Sequence, residues 1–355
     1  MRNAAPGVGA AEAGAPEDVL LRERGRSFAW DAFVVACAFD PGGGFAAWGL
    51  GDGTVRLVTL EERTDPVTVP AHEGAVLALA PDCTAGGVLA GGDDGRLMRV
   101  SPSGVEEIAA WPGRWVEHVL AWAGKSPWRA ASVGKTVHLF EAEGVRRKSL
   151  DHPSTVTGLA TDAKGRRLAA SHYGGASLWF AAAKEDRPLK LEWKGSHIGI
   201  AVSPDGRYVV TAMQENALHG WRLEDGAHMR MTGYPAKTKS LSFSANGRWL
   251  ATSGAESIVC WPFDGRGPMG RAPRELAGGD TVAVTRVACH PEHEVVAAGY
   301  ADGLVLLAEF ASGTVLPVAG PGRGPVSALA WSTDGRWLAW GTETGFAALV
   351  DFAPR

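Results

Sequence analysis

Val202-Ser203-Pro204-Asp205-Gly206-Arg207-Tyr208-Val209 returns as Phe243-Ser244-Ala245-Asn246-Gly247-Arg248-Trp249-Leu250 and again as Trp331-Ser332-Thr333-Asp334-Gly335-Arg336-Trp337-Leu338. The unit that carries these copies recurs about every forty residues, the mark of an array whose members bury their apolar faces only by stacking on one another. Inside a unit the pattern is strand, Asp/Asn/Gly turn, strand, turn, strand. In the fifth unit these are residues 198–202, the turn 204–206, residues 207–212, the turn 214–216 and residues 217–223. Period-two alternation bounded by residues that tolerate positive φ predicts antiparallel strands.

Laid end to end, the units predict strand triplets beginning near Val34, Ala75, His118, Val156, His197, Thr238, Val284 and Pro325, with a further short apolar stretch between each pair. The expected fold is all-β: a closed propeller of about eight four-stranded blades, with seven as the alternative. The last triplet ends at Phe352, too close to the end of the sequence for a fourth strand of its own. Val19-Leu20-Leu21 and the residues after it are expected to supply that strand, so that no long sheet edge stays open. Residues 1–16 are rich in Ala, Gly and Pro and read as a disordered tail; residues 17–355 read as one domain.

Composition narrows the partners. The 355 residues are 45% hydrophobic and 21% charged, with a formal net charge of -4 and no basic stripe, which argues against nucleic acid. No run approaches the roughly eighteen apolar residues of a membrane helix. Cys37, Cys83, Cys260 and Cys289 are widely spaced and suit reduced thiols, so a cytoplasmic protein is expected.

Catalytic signatures are missing. Gly124-Lys125-Ser126 lacks the upstream Gly of a phosphate-binding loop, and neither Gly-x-Ser-x-Gly nor His-Glu-x-x-His occurs. His290-Pro291-Glu292-His293 and Asp93-Asp94 fall where sister units place turns.

Several residues then bring a family into view: Ser203-Pro204-Asp205-Gly206, Ala71-His72 and Asp151-His152 at a Gly-His position, and Trp179, Trp221 and Trp261 in a third-strand slot. In these the chain resembles the WD40-repeat β-propellers over residues 17–355. The Trp-Asp pair is degraded, since Phe180, Arg222 and Pro262 follow the three tryptophans. The resemblance implies a non-catalytic scaffold that binds a protein or peptide on its top face and needs no cofactor.

Loops entering first strands and loops joining second to third strands emerge on that one face. They bring forward His152, His172 and Tyr173 from the fourth repeat, His197, Gln214, Glu215 and Asn216 from the fifth, and Tyr234 and Lys237 from the sixth. Trp30, outside the repeated slots, is expected as an exposed contact. An alternative gives His172, His197 and Glu215 a divalent metal such as zinc. The block from Trp193 to Lys237 also resembles a stand-alone bacterial WD40 group associated with metal-chaperone GTPases, which implies such a GTPase as the partner in that alternative.

Overall fold

The computed structural model describes residues 18–278 and 281–354; the expected tail, residues 1–16, lies outside them. The repeated turn explains the repeated motif. Ser203 Oγ donates to Asp205 Oδ1 (2.6 Å) and accepts the Tyr208 N–H (2.9 Å), while Gly206 sits at φ 70°. Ser244 with Asn246, and Ser332 with Asp334, build the same closed loop around Gly247 and Gly335. Each turn satisfies its own polar atoms, so the two strands it joins pair without outside help.

The first sheet orders Val34–Phe39, Phe45–Leu50, Thr54–Thr59 and Val67–Pro70 from inside to outside. The described strands form seven such sheets in a propeller ring, which is the alternative count. Six are four-stranded. The seventh is six-stranded and holds two sequence repeats, because Arg167–Phe180 and Leu189–Val202 are each 14 residues long.

Arg167–Phe180 doubles back on itself, with the Ala181 N–H donating to Arg166 O (2.9 Å). Leu189–Val202 pairs through its first half with residues 175–178 and through its second half with Tyr208–Met213. Around the axis the innermost strands therefore run Val34–Phe39, Val76–Pro81, His118–Trp122, Gly158–Thr161, the second half of Leu189–Val202, Leu241–Phe243, Val284–Cys289 and Val326–Trp331. The last packs against the first. Eight innermost strands thus serve seven sheets.

Closure occurs as expected, through the residues that follow Val19-Leu20-Leu21 rather than through those three themselves. Gly25–Ala29 pairs antiparallel with Phe346–Asp351, from Gly25 opposite Val350 to Ala29 opposite Phe346. Val19–Arg24, expected as strand, is instead a short helix. Its Leu21 is buried in a cluster with Val305, Val318 and Leu338, a contact that a strand continuing along the edge would not make. Asp18 anchors the helix by accepting from Arg323 and from the Gly320 N–H (2.5 Å), and the Arg323 guanidinium holds its carboxyl below the usual range.

The core lies between sheets. Trp48 of the first sheet is fully buried among Trp337, Ala339 and Leu349 of the last, and its Nε1–H donates to Trp340 O (2.9 Å). All four cysteines are free, and burial pushes the thiols of Cys37 and Cys289 up to about 12 and that of Cys83 up to about 11. No helix among the described residues is long and apolar enough to cross a membrane.

Candidate functional site on the top face

Histidines expected on the surface turn inward. His152 is buried, donates through Nδ1 to Lys135 O (3.2 Å) and accepts the Trp179 Nε1–H at Nε2 (3.0 Å). Burial lowers its pKa to about 4, so the ring is a neutral brace inside its sheet. Tyr234, expected as a loop contact, fills the same place two repeats on. It accepts the Trp261 Nε1–H (2.7 Å) and donates to Thr252 Oγ1 (2.7 Å), and burial raises its pKa.

His172 and His197 are also consumed by the fold. His172 joins Tyr173 O through Nδ1 (2.9 Å) and Ser177 Oγ through Nε2 (3.0 Å). His197, completely buried, donates from Nε2 to Trp193 O (2.9 Å) and receives the Thr211 hydroxyl at Nδ1 (2.7 Å). With both nitrogens of each ring engaged, His172, His197 and Glu215 do not form the expected zinc ligand set. Among the described residues no three His, Cys, Asp or Glu side chains are grouped to hold a metal ion.

What the fold does open is a gap. Every other innermost strand is entered by a loop, whose described residues are 30–33, 71–75, 111–117, 152–157, 232–240, 277–278 with 281–283, and 320–325. Between the fourth and fifth repeats the strand Leu189–Val202 simply continues, bending at Gly195 (φ 131°). That missing loop would have carried the brace for Trp221, whose buried Nε1–H consequently has no partner. Trp193 lies over the gap instead, stacked on the His219 ring at 3.9 Å.

Two clefts flank Trp193. One of about 540 Å³ is lined by His172, Tyr173, Lys190, Glu192 and Ser177; one of about 440 Å³ is lined by Met213, Glu215 and Arg230. Tyr173, Trp193 and Lys194 border both. Tyr173 is 62% exposed, a large apolar area left in water beside fixed charges of both signs.

Of the other expected residues, Gln214, Glu215 and Lys237 are exposed. Asn216, half-buried at φ 52°, donates from Nδ2 to Pro235 O (3.3 Å) and ties its hairpin to the next loop. Trp30 is not the exposed contact expected of it. It stacks on Phe28 (5.6 Å) and meets Trp48 edge-on (5.7 Å), because the chain leaves the closing strand along the core between the last and first sheets. Its near neighbour Phe33 and, two repeats on, Trp115 are exposed instead, as are Tyr173 and Phe180. Trp193, Lys194 and Arg230 were not among the contacts expected from the sequence; the signal for them is the continuous strand pattern on both sides of Gly195.

No family model matches the chain. Over 150 residues it is 27% identical to autophagy-related protein 16 of Arabidopsis thaliana, a match covering 41% of this chain and 29% of that protein. Over 93 residues it is 37% identical to tricorn protease homolog 1 of Streptomyces coelicolor, covering 26% of this chain and 9% of that protein. The chain thus spans less than a third of the length of these two relatives. The crystal structure of the computationally designed Ika8 protein superposes with a TM-score of 0.73 at 18% identity, covering 91% of this chain and 98% of that one. Ring and superposition define the class: the chain is a β-propeller.

Proposed function

We propose that this β-propeller is a non-catalytic scaffold of WD40 type that binds a protein or peptide on its top face, at the gap between the fourth and fifth repeats. The observation that carries this reading is the missing loop, which leaves Tyr173 and Trp193 bordering two clefts. Aromatic side chains of this kind supply much contact area at small entropic cost and anchor interfaces. Lys190 and Glu192 in one cleft, and Glu215 and Arg230 in the other, offer charges of both signs to fix the register of an extended segment. The partial identity to a plant autophagy protein agrees with a scaffold reading and goes no further.

Selection of a displayed random-peptide library on the full chain tests it. Peptides that saturate the wild-type protein should lose about tenfold or more in affinity for the Tyr173→Ala/Glu215→Ala double variant, with melting unchanged. Equal affinity for both proteins would move the binding face elsewhere.

A further inference from the structure

In the fifth, sixth and eighth repeats the second strand opens on a ring: Tyr208, Trp249 and Trp337. The first two reach across to the residue that follows the third strand of the next repeat, Tyr208 to Phe263 (5.2 Å between ring centroids) and Trp249 to Phe310 (6.1 Å). Those phenylalanines are only 2% and 1% exposed. In the seventh repeat the slot holds Val295, and its counterpart in the next repeat is Phe352. The Phe352 N–H donates to Arg336 O (2.8 Å), as those of Phe263 and Phe310 donate to Arg248 O and Glu294 O. Here the ring is missing. Phe352 stays half-buried, and a cleft of about 400 Å³ opens on the face opposite the top loops, bordered by Val295, Phe352, Trp331, His290, His293 and Asp334. Val88, in the same slot of the second repeat, is by contrast fully buried in a cluster with Ala47, Ala90 and Val100.

The walls of this cleft are held in place. Trp331 donates from Nε1 to Ala288 O (3.1 Å), and its ring lies 5.4 Å from Phe352 and 4.8 Å from His290. His290 stands where sister turns begin with Ser244 and Ser332. Its Nδ1 accepts the N–H groups of Glu292 (3.1 Å) and His293 (3.0 Å), and its Nε2–H donates to Gly335 O (3.0 Å). An Nδ1 that accepts carries no proton, so the ring is neutral. One polar atom at the rim is left over. Asp334 uses Oδ1 to accept from the Ser332 hydroxyl (2.5 Å) and the Arg336 N–H (3.1 Å), whereas its Oδ2 has no partner among the described residues. Arg336 borders the cleft too, but its guanidinium is committed to Asp351 (2.9 Å) and Glu61 (2.6 Å). An apolar cleft walled by aromatic rings, with one carboxylate oxygen free, suits a flat ring that carries a positive group.

We propose that this cleft binds a small aromatic amine, whose ring fills the slot left by Val295 beside Phe352 and Trp331 and whose ammonium pairs with the free oxygen of Asp334. The site lies between the seventh and eighth repeats, on the face away from the gap between the fourth and fifth, and each stands without the other.

Isothermal titration of the full chain with tryptamine, indole and indole-3-acetate, one ring system bearing a positive, no or a negative group, tests it. Tryptamine should bind saturably and about fivefold or more tighter than indole, with indole-3-acetate weakest. Val295→Trp restores the ring of the sister repeats, so it should weaken tryptamine about tenfold or more and melt no lower than the wild type. Asp334→Asn keeps the turn, as Asn246 does in the sixth repeat, and should bring tryptamine down to the affinity of indole while leaving indole unchanged. Should Val295→Trp fail to fold, Asp334→Asn decides alone. The proposal is overturned by an absence of saturable tryptamine binding, by equal affinity for the three probes, or by tryptamine affinity within about twofold of wild type in a folded Val295→Trp or in Asp334→Asn. The Tyr173→Ala/Glu215→Ala variant should bind tryptamine as the wild type does, so the two sites can fail separately.

Discussion

At the closing seam and at the junction of the fourth and fifth repeats, the ring joins neighbours by opposite means. The seam uses a separate segment: a helix, five register pairs and the Asp18–Arg323 ion pair. Arg336 adds a clamp there, reaching Asp351 in its own sheet and Glu61 in the first. The junction uses one unbroken strand and no loop. The difference teaches what a loop contributes besides connection. Where residues 152–157 form one, His152 satisfies Trp179; where it is absent, Trp221 keeps an unpaired N–H and the surface opens into clefts.

The seam is the place to break the comparison hardest. Deletion through Ala29 removes the closing strand and the buried Leu21, and should lower melting by about 10 °C or more relative to deletion through residue 17. Equal melting temperatures from calorimetry would mean the closing strand adds little. Next in size is a third kind of joint, the buried carboxylate of Asp82, shared by Arg99 of its own sheet and Arg129 of the next. Asp82→Ala leaves the buried Arg129 unpaired and should cost about 3–5 kcal/mol in urea unfolding.

Acid tests the brace itself, against a background of other buried histidines such as His219. His152 takes a proton near 6.5 when unfolded but only near about 4 when folded, because burial disfavours the charged ring. Between those values the unfolded chain holds more protons, so the stability is intact above about pH 6.5 and falls as pH drops toward 4, by roughly 3 kcal/mol from this residue. His152→Gln should flatten the decline in unfolding midpoint; an unchanged profile would assign the loss to other groups. The smallest test compares adjacent repeats. Trp179→Phe orphans His152 Nε2, whereas Trp221→Phe removes an N–H that had no partner, so the first should cost about 1–2 kcal/mol more.

Most of the ring was legible because its information is local and repeated. Alternation and Ser-x-Asp-Gly turns place innermost strands close to where they form, and closure followed from the need to cover an edge. The helix at Val19–Arg24 was not legible, since only contact with Val305 and Val318 in a distant sheet decides between helix and strand there. Site residues fared differently by type. Tyr173 and Glu215 sit on hairpin tips and stay exposed, as tips do. His197 and Tyr234 look polar and available in one dimension, but partners contributed by other strands, Thr211 and Trp261, draw them inside. Trp193 was hidden because its significance is an absence, a turn that never forms.

The closing strand also sets a clock. Residues 18–29 are made before every other described strand and paired after them all, for their partners at 346–351 are the last described strand to emerge from the ribosome. The other sheets can assemble from strands close in sequence while synthesis proceeds. The final sheet must wait for a contact across more than three hundred residues, and until then this segment stays unpaired and exposed to chaperones, proteases and other nascent copies.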